Sequence, residues 1–152
     1  MIKHENIKLD HQLCFALYAA NHELTRAYHD GLEKAGLTYT QYLVMMVLLE
    51  KDNVSVGSIA QRLDLGSATL TPLLKRLEVA GLITRKRNIK DERVVEINLT
   101  KMGYELQDQI AKVQKGVECQ TDLCQDDFIQ LRNSLKKLVE SMTANREKKA
   151  AA

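Results

Sequence analysis

Three cysteines are the side chains of this sequence best suited to covalent chemistry: Cys14 near the amino end, and Cys119 and Cys124 far along the chain. A thiolate attacks the O–O bond of a hydroperoxide and becomes a sulfenic acid, which a second thiol traps as a disulfide. An odd number of cysteines, in a chain whose start lacks the apolar stretch of a signal peptide, argues against a disulfide framework. We therefore expect reduced thiols in the resting protein.

The sequence around Cys14 predicts a position near the start of a helix. If Asp10 is the N-cap, Cys14 falls in the first turns, where the helix dipole favours a thiolate and the Asp10 carboxylate offsets part of that effect. Tyr18 lies one helical turn further along the same face, so its hydroxyl could approach the sulfur. The residues alone leave a second interpretation open, in which Cys14 is a small core residue between Leu13 and Phe15.

A second chemical feature is a concentrated basic segment. Between Lys75 and Arg93 there are seven basic side chains against three acidic ones, a net of +4, so the rest of the chain sums to −2 within the formal +2 of the whole. A basic segment on a near-neutral body is typical of a protein that binds a polyanion. The alternative is a solvated charged face, although such faces mix the two signs more evenly.

The apolar spacing predicts a mostly α-helical chain, and the low content of breakers, 7 Gly and 1 Pro, agrees with it. A first helix is expected from Asp10 to near 31–36, and a buried second helix after Thr38. Two terminal helices follow, with a weak break at 121–126 between them, and the tail from Asn145 is expected to be frayed. Because one small domain offers the apolar faces of these terminal helices little to pack against, we expect a homodimer.

The middle of the chain predicts a winged helix-turn-helix. Ser55 is expected to cap a short helix, which a turn at Leu65-Gly66 separates from a longer helix that ends at Gly81. The period then changes, and residues 82–85 and 94–99 predict two strands of a small β-hairpin with a basic tip.

A helix followed at once by a charged ribbon suits duplex DNA, because a major groove about 12 Å wide admits a helix while a basic loop follows the backbone or enters the minor groove. Pro72 complicates the helix, which is expected either to begin near Thr69 or to bend. The candidate contacts from the helix are Ser67, Ala68, Thr69, Thr71, Lys75 and Arg76, and those from the wing are Arg85, Lys86, Arg87, Lys90, Asp91 and Arg93.

The run from Leu74 to Ile83, then Asp91-Glu92-Arg93-Val94, Leu99-Thr100 and Gly103, closely resembles the winged-helix regulators of the MarR family. The resemblance covers residues 9–143. It implies an intertwined homodimer that presents two winged lobes to a pseudopalindromic operator in double-stranded DNA, and proteins of this kind mostly repress. The resemblance implies a single domain, 1–152, with dimerisation helices at 9–33 and 100–143, a DNA-binding lobe at 38–99 and a tail at 144–152.

Residues 13–20 and 37–42 are similar to the organic-hydroperoxide-sensing branch of that family, the OhrR-type repressors. The resemblance implies that Cys14 is the peroxidatic thiol, that Tyr28 and Tyr39 hydrogen-bond to it across the dimer, and that an organic hydroperoxide is the oxidant. Two-cysteine members carry a resolving cysteine near the dimerisation helices. Cys119 of the other subunit fits that placement better than Cys124, and the alternative for Cys119 is an exposed bystander thiol.

Other functions receive less support from the sequence. A MarR-type repressor could instead bind a small aromatic or lipophilic effector beside Phe15, Met45 and Met46, with Cys14 inert. A thiol peroxidase would leave the basic wing unexplained, so we expect no enzyme. His4, His11, His22 and His29 show no compact metal-ligand spacing with Cys14, and no Gly-rich phosphate loop occurs, so neither a metal nor a cofactor is expected. We expect a cytoplasmic protein that makes no membrane contact.

Overall fold

The computed structural model describes residues 7–91 and 93–150, and the chain divides into two compact units, Met1–Val117 and Glu118–Ala152. The predicted fold class, mostly α with a small β-hairpin wing, is confirmed. The helices and strands are α1 Leu13–Lys34, α2 Tyr39–Glu50, β1 Val54–Ser55, α3 Val56–Leu63, α4 Ser67–Val79, β2 Ile83–Arg87, β3 Val95–Leu99, α5 Lys101–Glu105, α6 Gln107–Gln120 and α7 Gln125–Ala150.

The first helix begins later than predicted. Asp10 lies in a short 3-10 helix, Leu9–His11, and the N-cap of α1 is Gln12, whose side chain makes no capping hydrogen bond. The prediction of Asp10 as the cap is therefore wrong, because Asp10 lies inside the 3-10 helix and Gln12 is the residue that directly precedes α1. The buried residue of α1 is Leu32, near its end.

Caps and core residues of the central helices follow the local sequence. The second helix begins after Thr38 as predicted, and Thr38 caps it, since its hydroxyl accepts from the Gln41 backbone N–H at 3.3 Å and the Gln41 side chain accepts from the Thr38 N–H at 2.8 Å. Ser55 caps α3, also as predicted. The hydrophobic core is built on α2, with side chains from α3, α4, the sheet and α6 around it: Val44, Met45, Leu48, Ile59, Leu70, Leu74, Leu77, Ile83, Ile97 and Ile110.

The second helix of the helix-turn-helix, α4, runs through its proline. It starts at Ser67 rather than near Thr69, and Pro72 lies inside it. Since proline has no N–H, the helical bond from residue 72 to the Ala68 carbonyl is missing. Val79, at the end of α4, lies outside the buried face that holds Leu77 and is 82% exposed. Val79 is two positions after Leu77, which places it more than half a turn around the helix from that residue.

The predicted hairpin is confirmed, and the sheet has a third strand that the sequence did not indicate. β2 and β3 pair antiparallel, with Ile83 opposite Leu99 and Arg87 opposite Val95. β2 extends two residues beyond the predicted end at Arg85. β1 adds to the other edge of β3, with Val54 opposite Ile97, and the strand order is β1-β3-β2.

The junction after the wing is tightly packed. The Thr100 hydroxyl donates to the Gly81 carbonyl at 2.6 Å and accepts from the Gly103 N–H at 3.0 Å, which caps α5. A Cβ added at Gly103 would overlap the Leu82 carbonyl oxygen, so only glycine fits there. This short helix was not predicted.

The second unit contains the end of α6, a short connection and α7. The predicted fraying after Asn145 is wrong for the residues described, because α7 continues through Ala150; residues 151–152 lie outside them. Among the described residues of α7 none is buried. No helix within 7–91 and 93–150 is long and apolar enough to cross a membrane.

Candidate nucleic-acid interface and thiol site

The start of α4 presents an exposed polar surface. The helix buries one stripe, Leu70, Leu73, Leu74 and Leu77, in the core. The positions between these leucines consequently face outward, and Gly66 at the N-cap supplies no side chain. All six predicted helix contacts are exposed: Ser67, Ala68, Thr69, Thr71, Lys75 and Arg76.

The wing is a second exposed surface in the same unit. Lys86 and Arg87 lie on β2, and Lys90 and Arg93 lie in the loop that joins β2 to β3; all four side chains are exposed. β2 has one buried residue, Ile83, followed by four exposed ones. The geometry therefore leaves a positively charged ribbon available to a polyanion.

The loop of the wing is held by two short polar side chains. The Asn88 carboxamide oxygen accepts from the backbone N–H of Lys90 at 2.7 Å and of Asp91 at 3.1 Å. Asp91 in turn accepts from the Arg93 N–H at 3.0 Å. Asp91 therefore shapes the loop that carries Arg93, and as an acid it has no direct attraction for phosphate. Glu92 lies outside the described residues.

Arg85 differs from the other basic residues of the wing because it is already paired. Its Nε donates to Glu78 Oε2 at 2.7 Å and its guanidinium Nη2 lies 2.6 Å from the same oxygen. Glu78 lies on α4, so this pair joins the helix to the wing. The hydrogen bond from Arg85 lowers the pKa of Glu78, and the charges of Arg85 and Lys75 add to the effect.

Cys14 lies at the second residue of α1 and is exposed. Within 7–91 and 93–150 its sulfur has no hydrogen-bond partner, and the first turn of α1 contains no acidic residue. The predicted approach of Tyr18 to the sulfur is not observed: Tyr18 is exposed, and its ring packs against His22 with a centroid distance of 4.4 Å. The alternative of a buried core cysteine does not fit an exposed side chain.

Tyr28 and Tyr39, which lie far apart in sequence, come together in the fold. Their ring centroids are 5.5 Å apart, and Tyr42 joins them at 5.2 Å from Tyr28 and 5.8 Å from Tyr39. Burial raises the pKa of Tyr39, and the neighbouring Tyr42 phenol raises it further. We call Tyr28, Tyr39 and Tyr42 the tyrosine cluster.

The two cysteines of the second unit differ in their contacts. Cys119 lies near the end of α6, is exposed, and has no hydrogen-bond partner among the described residues. Cys124 immediately precedes α7. Its sulfur accepts from the Asp127 backbone N–H at 3.4 Å, and its thiol donates to Asp127 Oδ2 at 3.1 Å. Cys124 therefore caps a helix, whereas Cys119 is unengaged.

Comparison with known proteins agrees with this geometry. The family described as Transcriptional regulator SarA/Rot matches residues 26–110. An organic hydroperoxide resistance transcriptional regulator of Bacillus subtilis (strain 168) is 40% identical over 140 residues, which cover 92% of this chain and 95% of the relative. The chain belongs to the SarA/Rot family of MarR-type winged-helix transcriptional regulators.

Two solved structures of AbfR, a protein of Staphylococcus epidermidis, are similar to this family member. Reduced AbfR bound to DNA is 34% identical, with 93% of this chain and 99% of that chain covered and a TM-score of 0.75. Disulfide-formed AbfR is 36% identical, with 91% of this chain and 97% of that chain covered and a TM-score of 0.65.

Two residues of this SarA/Rot family member were missed by the sequence analysis. Tyr42 was covered only by the segment 37–42 and was given no role, yet it completes the tyrosine cluster. Gln114 was not singled out, although it hydrogen-bonds to Tyr42. Tyr42 lies one turn after Tyr39 on α2, a spacing that could have indicated the cluster. No group of three metal-binding side chains occurs within the part of the chain that the structure describes, and His4 lies outside it.

Proposed function

We propose that this family member is a dimeric DNA-binding repressor that senses organic hydroperoxide. The lobe at 38–99 binds a pseudopalindromic operator, and the helices at 9–33 and 100–143 form the dimer. Oxidation of Cys14, followed by a disulfide with Cys119 of the other subunit, releases the operator. The reaction is stoichiometric with the protein, so the chain is a sensor and not an enzyme.

The DNA-binding part rests on two exposed surfaces of one unit. The start of α4 offers short polar side chains that can reach base edges, with Lys75 and Arg76 one turn on to hold phosphates. Lys86, Arg87, Lys90 and Arg93 supply the wing with positive charge. Arg85 is paired with Glu78, so it positions the wing rather than adding a free charge.

One observation carries the redox part: the Cys14 sulfur is exposed and unengaged in the first turn of α1. Helix N-termini carry a partial positive charge, which suits an anionic nucleophile. In the first step the Cys14 thiolate takes the terminal oxygen of the hydroperoxide. The O–O bond breaks, the sulfur is oxidised to a sulfenic acid, and the alcohol leaves once its alkoxide gains a proton.

The second step consumes the sulfenic acid. The Cys119 thiol attacks the oxidised sulfur, an S–S bond replaces the S–O bond, and water carries away the hydroxyl and the thiol proton. Cys119 is the better candidate, since Cys124 would first have to give up both of its hydrogen bonds to Asp127. A 100-fold loss of operator affinity corresponds to a difference of about 2.7 kcal/mol in binding free energy between the reduced and oxidised states. A covalent crosslink between helices is sufficient for a difference of that size.

Similarity to the relatives supports the same proposal. The regulator of Bacillus subtilis is named for organic hydroperoxide resistance, and AbfR has been solved both reduced on DNA and with a disulfide formed. Since both relatives are more than 30% identical over most of the chain, an oxidant of that class and a disulfide switch are the natural proposals here.

The test is operator release by the purified full-length chain. We expect stoichiometric cumene hydroperoxide to release the unsubstituted protein, whereas Cys14→Ser binds the operator normally and stays bound. Oxidised protein should run as a covalent dimer on non-reducing gels, a band that Cys119→Ser removes and Cys124→Ser keeps. If the band instead needs Cys124, the resolving role moves there. A Cys14 that stays reduced under hydroperoxide would favour the effector-binding alternative.

The salt dependence of operator binding tests the electrostatic contribution of the basic residues. With roughly eight to ten phosphate contacts from the dimer, the slope of log affinity against log salt should lie near −7 to −9. A slope shallower than about −3 would contradict the assignment of the wing as a backbone contact.

A further inference from the structure

A hydrogen bond ties the tyrosine cluster to α6. The Gln114 side-chain nitrogen donates to the Tyr42 hydroxyl at 3.0 Å and lies 3.6 Å from the Met46 sulfur. Tyr42 is 4% exposed and Gln114 is partly buried, so water competes little for this bond.

The chemistry of the amide fixes the direction of that bond. An amide N–H can only donate, so the Tyr42 oxygen accepts and the phenolic proton of Tyr42 must point elsewhere. The other two rings of the cluster lie 5.2 and 5.8 Å from the Tyr42 ring, and the Tyr42 phenol already raises the pKa of Tyr39. Tyr42, which Gln114 holds by its hydroxyl, therefore packs against both of the other rings of the tyrosine cluster.

We propose that Gln114 and Tyr42 are positioning residues for peroxide sensing, which hold Tyr28 and Tyr39 in the hydrogen-bonding geometry that the Cys14 reaction requires. This inference rests on the proposed function, because it needs Cys14 to be the reacting thiol, and on the role that the resemblance to OhrR-type repressors implies for Tyr28 and Tyr39, hydrogen bonds to Cys14 across the dimer. Gln114 lies on the same helix as Cys119, five residues before it.

Two near-isosteric variants test the inference. In Gln114→Glu the carboxylate accepts instead of donating, so Tyr42 must turn its proton toward residue 114. Tyr42→Phe removes the hydroxyl and keeps the ring. We expect each variant to slow the reaction of Cys14 with cumene hydroperoxide about 3- to 10-fold, the worth of one hydrogen bond. Alkylation of Cys14 by iodoacetamide, which breaks no O–O bond, should stay within about twofold.

The matched control is Gln107→Glu, the same change at an exposed position of α6. It should react with hydroperoxide at the rate of the unsubstituted chain. If Gln114→Glu folds poorly, as judged by thermal unfolding, Tyr42→Phe decides the question.

A second readout does not involve peroxide. Because the Tyr42 phenol is the lesser of the two causes that raise the pKa of Tyr39, Tyr42→Phe should lower that pKa while leaving it above its ordinary value. Ultraviolet titration of the tyrosines measures this change.

The outcomes separate the two proposals. If Cys14 of the unsubstituted chain does not react with hydroperoxide, the proposed function fails. If it reacts and both variants react equally fast, or if alkylation slows as much as oxidation, the positioning role of Gln114 and Tyr42 is overturned while the sensor remains.

Discussion

At the scale of single residues, the three cysteines have the same side chain and different surroundings. Cys14 and Cys119 are exposed, with sulfurs that have no hydrogen-bond partner among the described residues. Cys124 is exposed too, but its sulfur accepts from the N–H three residues into α7, the geometry of a helix N-cap. Exposure alone therefore does not distinguish a reactive thiol from a structural one.

Replacing Cys124 should affect stability according to capping ability. We expect Cys124→Ala to lower the free energy of unfolding by about 0.5 to 1 kcal/mol, while Cys124→Ser, which introduces a favoured cap, keeps it or raises it. Urea denaturation at fixed protein concentration measures the difference. The matched pair is Cys119→Ala and Cys119→Ser, for which alanine should be equal or slightly more stable, because Cys119 lies inside α6 and caps no helix. Equal stability of the two Cys124 variants would exclude the capping role.

At the scale of elements, the local sequence was sufficient to predict the start of a helix where a single capping residue determines it. The cap Ser55 and the start of α2 after Thr38 were predicted from sequence, because a capping hydroxyl acts within three residues of itself. β1 was missed because two residues become a strand only by pairing with Ile97 and Glu96, which lie far along the chain. Local spacing does not contain that information.

The same limit applies to the candidate site. The exposed wing was predicted from its charge, and Cys14 was singled out by residue type while a buried position for it stayed open. The pair of Glu78 with Arg85 and the bond of Gln114 to Tyr42 join different elements, and their partners become neighbours only after the helices pack. The exposed charged residues were therefore predictable from sequence, and the residues that hold them in place were not.

The pair between α4 and β2 predicts a dependence of stability on pH. The folded state lowers the pKa of Glu78 from 4.5, so the pair stabilises the fold above that value. This contribution is lost as the pH falls through the lowered folded-state pKa. The difference in stability between the unsubstituted chain and Glu78→Gln should therefore be measurable at neutral pH and disappear in acid.

Thermal unfolding as a function of pH measures that difference. The control is the double substitution, because in an Arg85→Met background Glu78→Gln should have little effect at any pH. A difference that persists in acid, or in that background, would mean that the Glu78 side chain stabilises the fold by another route.

At the scale of the whole molecule, the two units differ in how far a single chain buries its apolar residues. The lobe around α2 has a closed core, including Val44, Met45 and Leu48. On α7, by contrast, Leu131, Leu135, Val139 and Met142 are 51%, 38%, 64% and 65% exposed. Their steps of three and four residues put them on one face of the helix, and a face of this kind is normally covered. A second copy of the chain is the partner that the proposed function requires.

Placing a charge on that face should therefore separate the dimer without unfolding the lobe. We expect Leu135→Asp to shift sedimentation toward the monomer, because a carboxylate buried in an apolar interface loses its hydration. Lys136→Asp, one residue further on, is the matched control and should remain dimeric. Since a monomer presents one lobe, its salt slope on operator DNA should fall to about half of the −7 to −9 expected for the dimer. A dimeric Leu135→Asp with an unchanged slope would show that the subunits associate through a different surface.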